Sequence, residues 1–197
     1  MRPLVLTARL LDIIQPWHYT QRTDMATVTH IPIELYLRTV YEPDAELVNG
    51  EIEERNVGEY LHNLVQMTIL FWFVKHGKDW GVRAIQEQRT RFPWDNVRIP
   101  DVCVWARSTP EEQVFTIPQL IAIEVISPDD RQSKMQEKIE DYRKFGVAHI
   151  WYVDPVKRIG WDCSSGNWIQ TGTFTVPETP IYLDMTTLFS EVDEARS

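Results

Sequence analysis

Hydrophobic and polar positions along the chain fall into three kinds of period, and each predicts an element. "QLIAIEVISP" (119–128) is apolar at Leu120, Ile121, Ala122, Ile123, Val125 and Ile126, a strand buried on both faces. "GEYLHNLVQMTILFWFVKHGK" sets Leu61, Leu64, Val65, Thr68, Ile69 and Trp72 at helical spacing, predicting a long helix over about 58–78 that packs on a sheet. After Ser127-Pro128-Asp129-Asp130, a helix-start cluster, residues 131–145 read as a helix with Met135, Ile139 and Tyr142 on its apolar stripe, ended by Gly146.

The remaining elements follow from turn signals. "AELVNGEIEER" places two strand-like arms around Asn49-Gly50, and a two-residue turn pairs Val48 with Glu51, Leu47 with Ile52, and Glu46 with Glu53. Like charges opposite each other are unfavourable, so Glu46 and Glu53 must splay into water or share a cation. A short helix over 31–38 precedes the hairpin, with Pro32 suited to its first turn.

Strands are expected over 82–92, 99–106, 120–127 and 149–154, then near 159–163 and 168–171 around "SSGN". "IYLDMTTLFSEVDEARS" gives a short strand and a terminal helix. This order predicts an α/β or α+β fold with a mixed sheet. In the strand over 82–92, alternation places Arg83, Arg89 and Arg91 on one face with Ile85 and Glu87.

Length adds an organisation. At 197 residues the chain suits one domain, expected over 29–190, after a poorly ordered leader at 1–28 and before an acidic tail at 191–197; Met25 reads as an alternative start. Hydrophobic residues at 43% and charged residues at 25% describe a globular chain rather than a disordered one. Cys103 and Cys163 lie in strand-like runs outside any zinc spacing, which points to a reducing cytoplasm. Apolar runs are too short for a membrane-spanning helix. The net charge of −9 argues against coating nucleic acid by bulk electrostatics, but leaves room for an acidic metal site with local basic groups.

The candidate chemistry begins with Glu124, a carboxylate inside an apolar strand. It must be protonated, paired with a base, or face a cation. "IPDVCVW" puts Asp101 at the head of the neighbouring strand, and "KMQEKIEDY" carries Lys134 and Lys138 on the following helix. Two carboxylates on adjacent strands repel unless a divalent ion lies between them, and oxygen donors suit magnesium. Lys138 adjoins Ile139 on the buried stripe and can reach inward, where an ammonium would orient an attacking water. That combination suits phosphodiester hydrolysis.

The ordered set "ELVNGE", "IPDVCVW", "IEVISPDD", Lys138 and "HIWYVDP" resembles the Uma-two family of restriction-endonuclease-like proteins, a branch of the PD-(D/E)xK nuclease superfamily, over roughly residues 30–190. The resemblance implies a restriction-endonuclease-like mixed sheet flanked by helices, often as a homodimer. It implies a magnesium- or manganese-dependent endonuclease acting on DNA. Asp101, Glu124 and Glu46 would be catalytic acids and metal ligands, and the Val125 carbonyl a further ligand. Two residues after the acid, where the superfamily has lysine, this chain has Ile126; the resemblance assigns that lysine to the following helix, to Lys138 with Lys134 as the competitor. Asn49-Gly50 replaces the family's usual Asp-Gly and keeps the turn.

Each residue also has a simpler reading. Glu124 could pair with Arg89 or Arg91, Asp101 could bond to backbone at a strand start, and Lys138 could pair with Glu137 or Asp141. Glu46 could be an exposed hairpin acid, and His62 reads as a satisfied histidine at the core edge. Arg83, Arg89 and Arg91, together with Lys134, are candidates for phosphate contact; the alternative for the arginine stripe is ion pairing with Glu87 and nearby acids. The rival function is a non-catalytic nuclease-fold module that binds nucleic acid or protein.

Overall fold

In the computed structural model, which describes residues 30–56 and 59–197, the Asn49-Gly50 turn fixes the hairpin in the expected register. Both turn residues have positive φ, 52° and 80°, as a two-residue hairpin turn requires. Helix α1 (Ile33–Arg38) precedes strands β1 (Ala45–Val48) and β2 (Glu51–Glu54), and α2 (Tyr60–His76) follows. The expected leader at 1–28 lies outside the described residues.

The chain continues through β3 (Val82–Gln86), β4 (Thr90–Arg91), β5 (Val97–Arg98), β6 (Val102–Ala106) and β7 (Ile121–Val125) to α3 (Gln132–Phe145). Gly146 ends α3 in the left-handed conformation, φ 99°. Then come β8 (His149–Asp154), β9 (Ile159–Asp162), β10 (Ile169–Thr171), β11 (Thr173–Thr175), β12 (Tyr182–Asp184) and α4 (Met185–Glu194). The larger sheet has the order β10-β9-β8-β7-β6-β3 and is mixed: β7 and β8 are parallel, joined by α3, and the other neighbours are antiparallel. A smaller sheet runs β2-β1-β5-β4, and β11 pairs with β12. The α+β class with a mixed sheet is therefore the fold observed.

The continuous strand expected over 82–92 does not form. Glu87 takes φ 51°, which ends the alternation, and the chain passes from β3 in the larger sheet to β4 in the smaller one. The arginine stripe goes with it. Arg83 binds Glu111 and the carbonyls of Thr109 and Pro110, Arg89 pairs with Asp44, and Arg91 pairs with Asp95.

Strand alternation decides which face each side chain of β7 serves. Ile121, Ile123 and Val125 enter the core with Leu64, Val65, Ile69 and Phe73 of α2 and with Leu188 and Val192 of α4. Ala122 lies on the opposite face with Ile139, Tyr142 and Phe145 of α3. Glu124 shares that face, so the expensive carboxylate is turned toward a helix that carries a lysine.

Candidate functional site

Three carboxylates converge in a cleft of about 910 Å³ between the hairpin, the ends of β6 and β7, and the N-terminal half of α3. Glu46, Asp101 and Glu124 all line it, with side chains 3%, 5% and 8% exposed. The β6–β7 register pairs Val102 with Ile123, so Asp101 stands one step beyond the ladder, level with Glu124. Asp101 is pinned there: its Oδ2 accepts the Val125 N–H at 2.8 Å.

Each carboxylate is countered by a cation. Lys138 reaches in from α3, its Nζ 3.1 Å from Glu46 Oε1 and 3.4 Å from Glu124 Oε1. Arg98, 1% exposed, binds Glu46 Oε2 at 2.9 Å, Glu53 at 3.4 Å and Asp141 at 2.7 Å. It is the cation that the opposed Glu46 and Glu53 share. Arg55 Nη2 donates to Asp101 Oδ1 at 2.8 Å, and His62 Nε2 lies 3.3 Å from Asp101 Oδ2. Tyr142 donates its hydroxyl to Glu124 Oε1 at 2.5 Å.

The electrostatics separate the three acids. Burial opposes ionisation of Glu46, but Lys138, Arg98 and the Ile99 N–H together hold its carboxyl below the usual range. Asp101 is likewise held low against its burial, by the His62 hydrogen bond and charge and by Arg55. Glu124 goes the other way: burial, with the charges of Asp101 and Glu46 beside it, pushes its carboxyl up to about 7 although Lys138 pulls it down. Lys138 is raised by Glu124 and Glu46, more than burial lowers it, and so stays charged.

Set against the sequence, the cleft gathers Asp101, Glu124, Glu46 and Val125, with Lys138 pointing inward. Lys134 stands at the rim, half exposed and paired with Glu53 and Glu137, away from Glu124. Arg83, Arg89 and Arg91 are not among the lining residues. Glu124 pairs with Lys138 rather than with Arg89 or Arg91. Glu46 is buried, not an exposed hairpin acid. His62 belongs to the site rather than the core edge.

Arg55, Arg98 and Tyr142 were not legible as site residues. For Arg98 a signal existed, since the hairpin register demanded a shared cation for Glu46 and Glu53. The helical period shows Tyr142 only as part of an apolar stripe, which its ring fills while its hydroxyl turns to Glu124.

Among the described residues no group of three His, Cys, Asp or Glu side chains forms a ready metal cage. No described helix is long and apolar enough to cross a membrane.

Comparison with known proteins places the fold and the family. No curated protein matches the chain. Among solved structures it is similar to one from Anabaena variabilis ATCC 29413 described as a "putative nuclease belonging to DUF820". The two are 23% identical, with a TM-score of 0.71 over 82% of this chain and 99% of that one, a likeness of fold. A weaker similarity is to a DrdV-DNA complex, at 14% identity and a TM-score of 0.39 over 64% of this chain and 10% of that one. The Uma2 family model, described as "Putative restriction endonuclease", matches residues 33–181, a span that contains every residue of the carboxylate cluster and its counter-charges. The chain belongs to the Uma2 family.

Proposed function

We propose that this protein is a divalent-metal-dependent endonuclease that hydrolyses phosphodiester bonds in DNA. The observation that carries the reading is the convergence of Glu46, Asp101 and Glu124 on one cleft, with the Lys138 ammonium between two of them. Family membership and the nuclease-like fold support the reaction class.

The donor set fits a hard cation. Burial first, and then the charges of Asp101 and Glu46, raise Glu124, and protein cations supply the compensating charge. Magnesium is held by one or two carboxylates and several waters, so a complete protein cage is not required. Asp101 and Glu124 would hold the ion, with Glu46 and the Val125 carbonyl as further ligands; magnesium or manganese suits them. A cation there would polarise a phosphoryl oxygen and acidify water.

The chain's own groups supply the rest. Lys138 orients the attacking water and offsets charge that builds on the phosphate. Tyr142 fixes the Glu124 carboxylate, and Arg98 fixes Glu46. Arg131 and Lys134 at the rim give the local positive charge a phosphate backbone needs on an acidic protein. Buried free Cys103 and Cys163 suit a reducing cytoplasm.

The test is cleavage of plasmid DNA with and without magnesium. Wild type is expected to cut only with the ion, and Asp101→Ala and Glu124→Ala are expected not to cut. DNA binding without cleavage by wild type would favour the non-catalytic module instead.

A homodimer is part of this reading, and α2 supports it. Tyr60, Met67, Phe71 and Val74 form an outward apolar stripe, 41–68% exposed. Tyr60 and Val74 are equidistant from Met67. A second copy of α2 running antiparallel would therefore set Met67 on the dyad and bring Glu59 beside the partner's Lys75.

A further inference from the structure

Among the described residues Arg55 is the guanidinium bound to Asp101 in the cleft. It follows directly on β2, its side chain is 16% exposed, and it donates to Asp101 Oδ1 at 2.8 Å. Asp101 Oδ2 is already taken by Val125 N–H and approached by His62. The remaining oxygen of the acid best placed to hold a cation is thus held by a side chain.

Arg55 also has a second acid within reach. Its Nη1 lies 3.5 Å from Glu87 Oε1, at the open side of the cleft, where Glu87 is 47% exposed. Glu87 is anchored: its N–H donates to the Asp101 carbonyl and Gln66 donates to its carboxylate. The guanidinium therefore lies between an inner carboxylate and a half-exposed outer one on the wall of the cleft.

We propose that Arg55 is a displaceable stand-in for the cation. In the metal-free protein it neutralises Asp101, and when a divalent ion takes that carboxylate the guanidinium stays on the Glu87 side and binds a non-bridging oxygen of the DNA phosphate. The inference rests on the nuclease reading. Its chemistry is that of the guanidinium fork, which matches carboxylate and phosphate oxygens alike and keeps its charge throughout. The same residue thereby links metal loading to substrate binding: an ion on Asp101 releases a phosphate-binding group.

The test uses the full-length chain, with Mn2+ alone as one probe and a DNA duplex in Ca2+ as the other. Removing a cation that competes for Asp101 should tighten Mn2+ binding by Arg55→Ala about tenfold in calorimetry. The same variant should bind the duplex about tenfold more weakly in fluorescence anisotropy, with its salt dependence reduced by about one phosphate contact. Arg55→Lys keeps the charge without the fork, so its Mn2+ affinity stays near wild type while its DNA affinity falls part of the way. It also controls for folding.

Weaker or unchanged Mn2+ binding in a folded Arg55→Ala, or an unchanged DNA affinity and salt slope, overturns the proposal and leaves the nuclease reading standing. Failure of wild type and both variants to bind Mn2+ brings down the reading and the proposal together.

Discussion

Lys138 lies 3.1 Å from Glu46 and so ties the helix over 132–145 to the hairpin that precedes it far back in the chain. The same ammonium meets Glu124 at 3.4 Å, while Lys134, one turn earlier, meets only Glu53 and Glu137. Lys138→Met should therefore lower the rate of magnesium-dependent DNA cleavage by about 100-fold, and Lys134→Met should change it only by weakening DNA binding. Single-turnover rates at saturating protein separate the two. Equal losses would return the choice between the lysines to open ground.

Arg98 joins Glu46 and Glu53 of the hairpin to Asp141 of α3 from a position 1% exposed. Arg98→Met leaves Glu46 buried with Lys138 as its remaining cation. A cost of about 3–5 kcal/mol in urea unfolding is expected. Adding Glu46→Gln removes the stranded charge and should recover part of that loss, a coupling that a double-mutant cycle reads directly.

Asp154 closes the turn after β8, where its Oδ1 accepts the N–H groups of Val156 and Lys157 and its Oδ2 pairs with Lys157. Burial opposes ionisation, but those hydrogen bonds and the Lys157 charge hold its carboxyl below the ordinary value of 3.8. A depressed native value means the stabilisation is fully present above 3.8 and lost as pH falls through the native value. Asp154→Asn should accordingly be less stable than wild type at pH 7, with the gap closing in acid below that range. Urea midpoints measured across pH would show it; a gap that persisted unchanged in acid would assign the effect to the turn's shape rather than its charge.

Met67 sits at the centre of the outward stripe of α2. Met67→Lys would place two ammonium groups against each other on the dyad of an antiparallel pair. Sedimentation should then show dimer for wild type and monomer for the variant, with the thermal midpoint of the fold little changed at low protein concentration. Monomer in both cases removes the stripe as an interface.

The elements legible in the sequence were those governed by local chemistry. Asn49-Gly50 fixed the hairpin register because two positive-φ residues leave no slack, and the 3.6-residue period and Gly146 located α2 and α3. Glu124 was legible as an anomaly, since a charge in an apolar strand needs a partner. The partners were harder to see. Arg55 meets Asp101 and Arg98 meets Glu46 across long separations in sequence, and no short-range period records such pairs. The arginine stripe failed for the converse reason: an alternation that continues on paper was cut by one backbone conformation at Glu87.

The cleft draws its charges from the two larger sheets and from a helix that follows β7 in the chain. Glu46 and Arg55 are synthesised first, Asp101 and Glu124 follow, and Lys138 comes last. A nascent chain still missing α3 holds an unfinished centre, with acids lacking the ammonium that draws two of them together. Under the proposed nuclease reading, a product truncated before α3 lacks Lys138 together with the wall of the cleft that carries it, and is expected to be inert toward the nucleic acids around the ribosome.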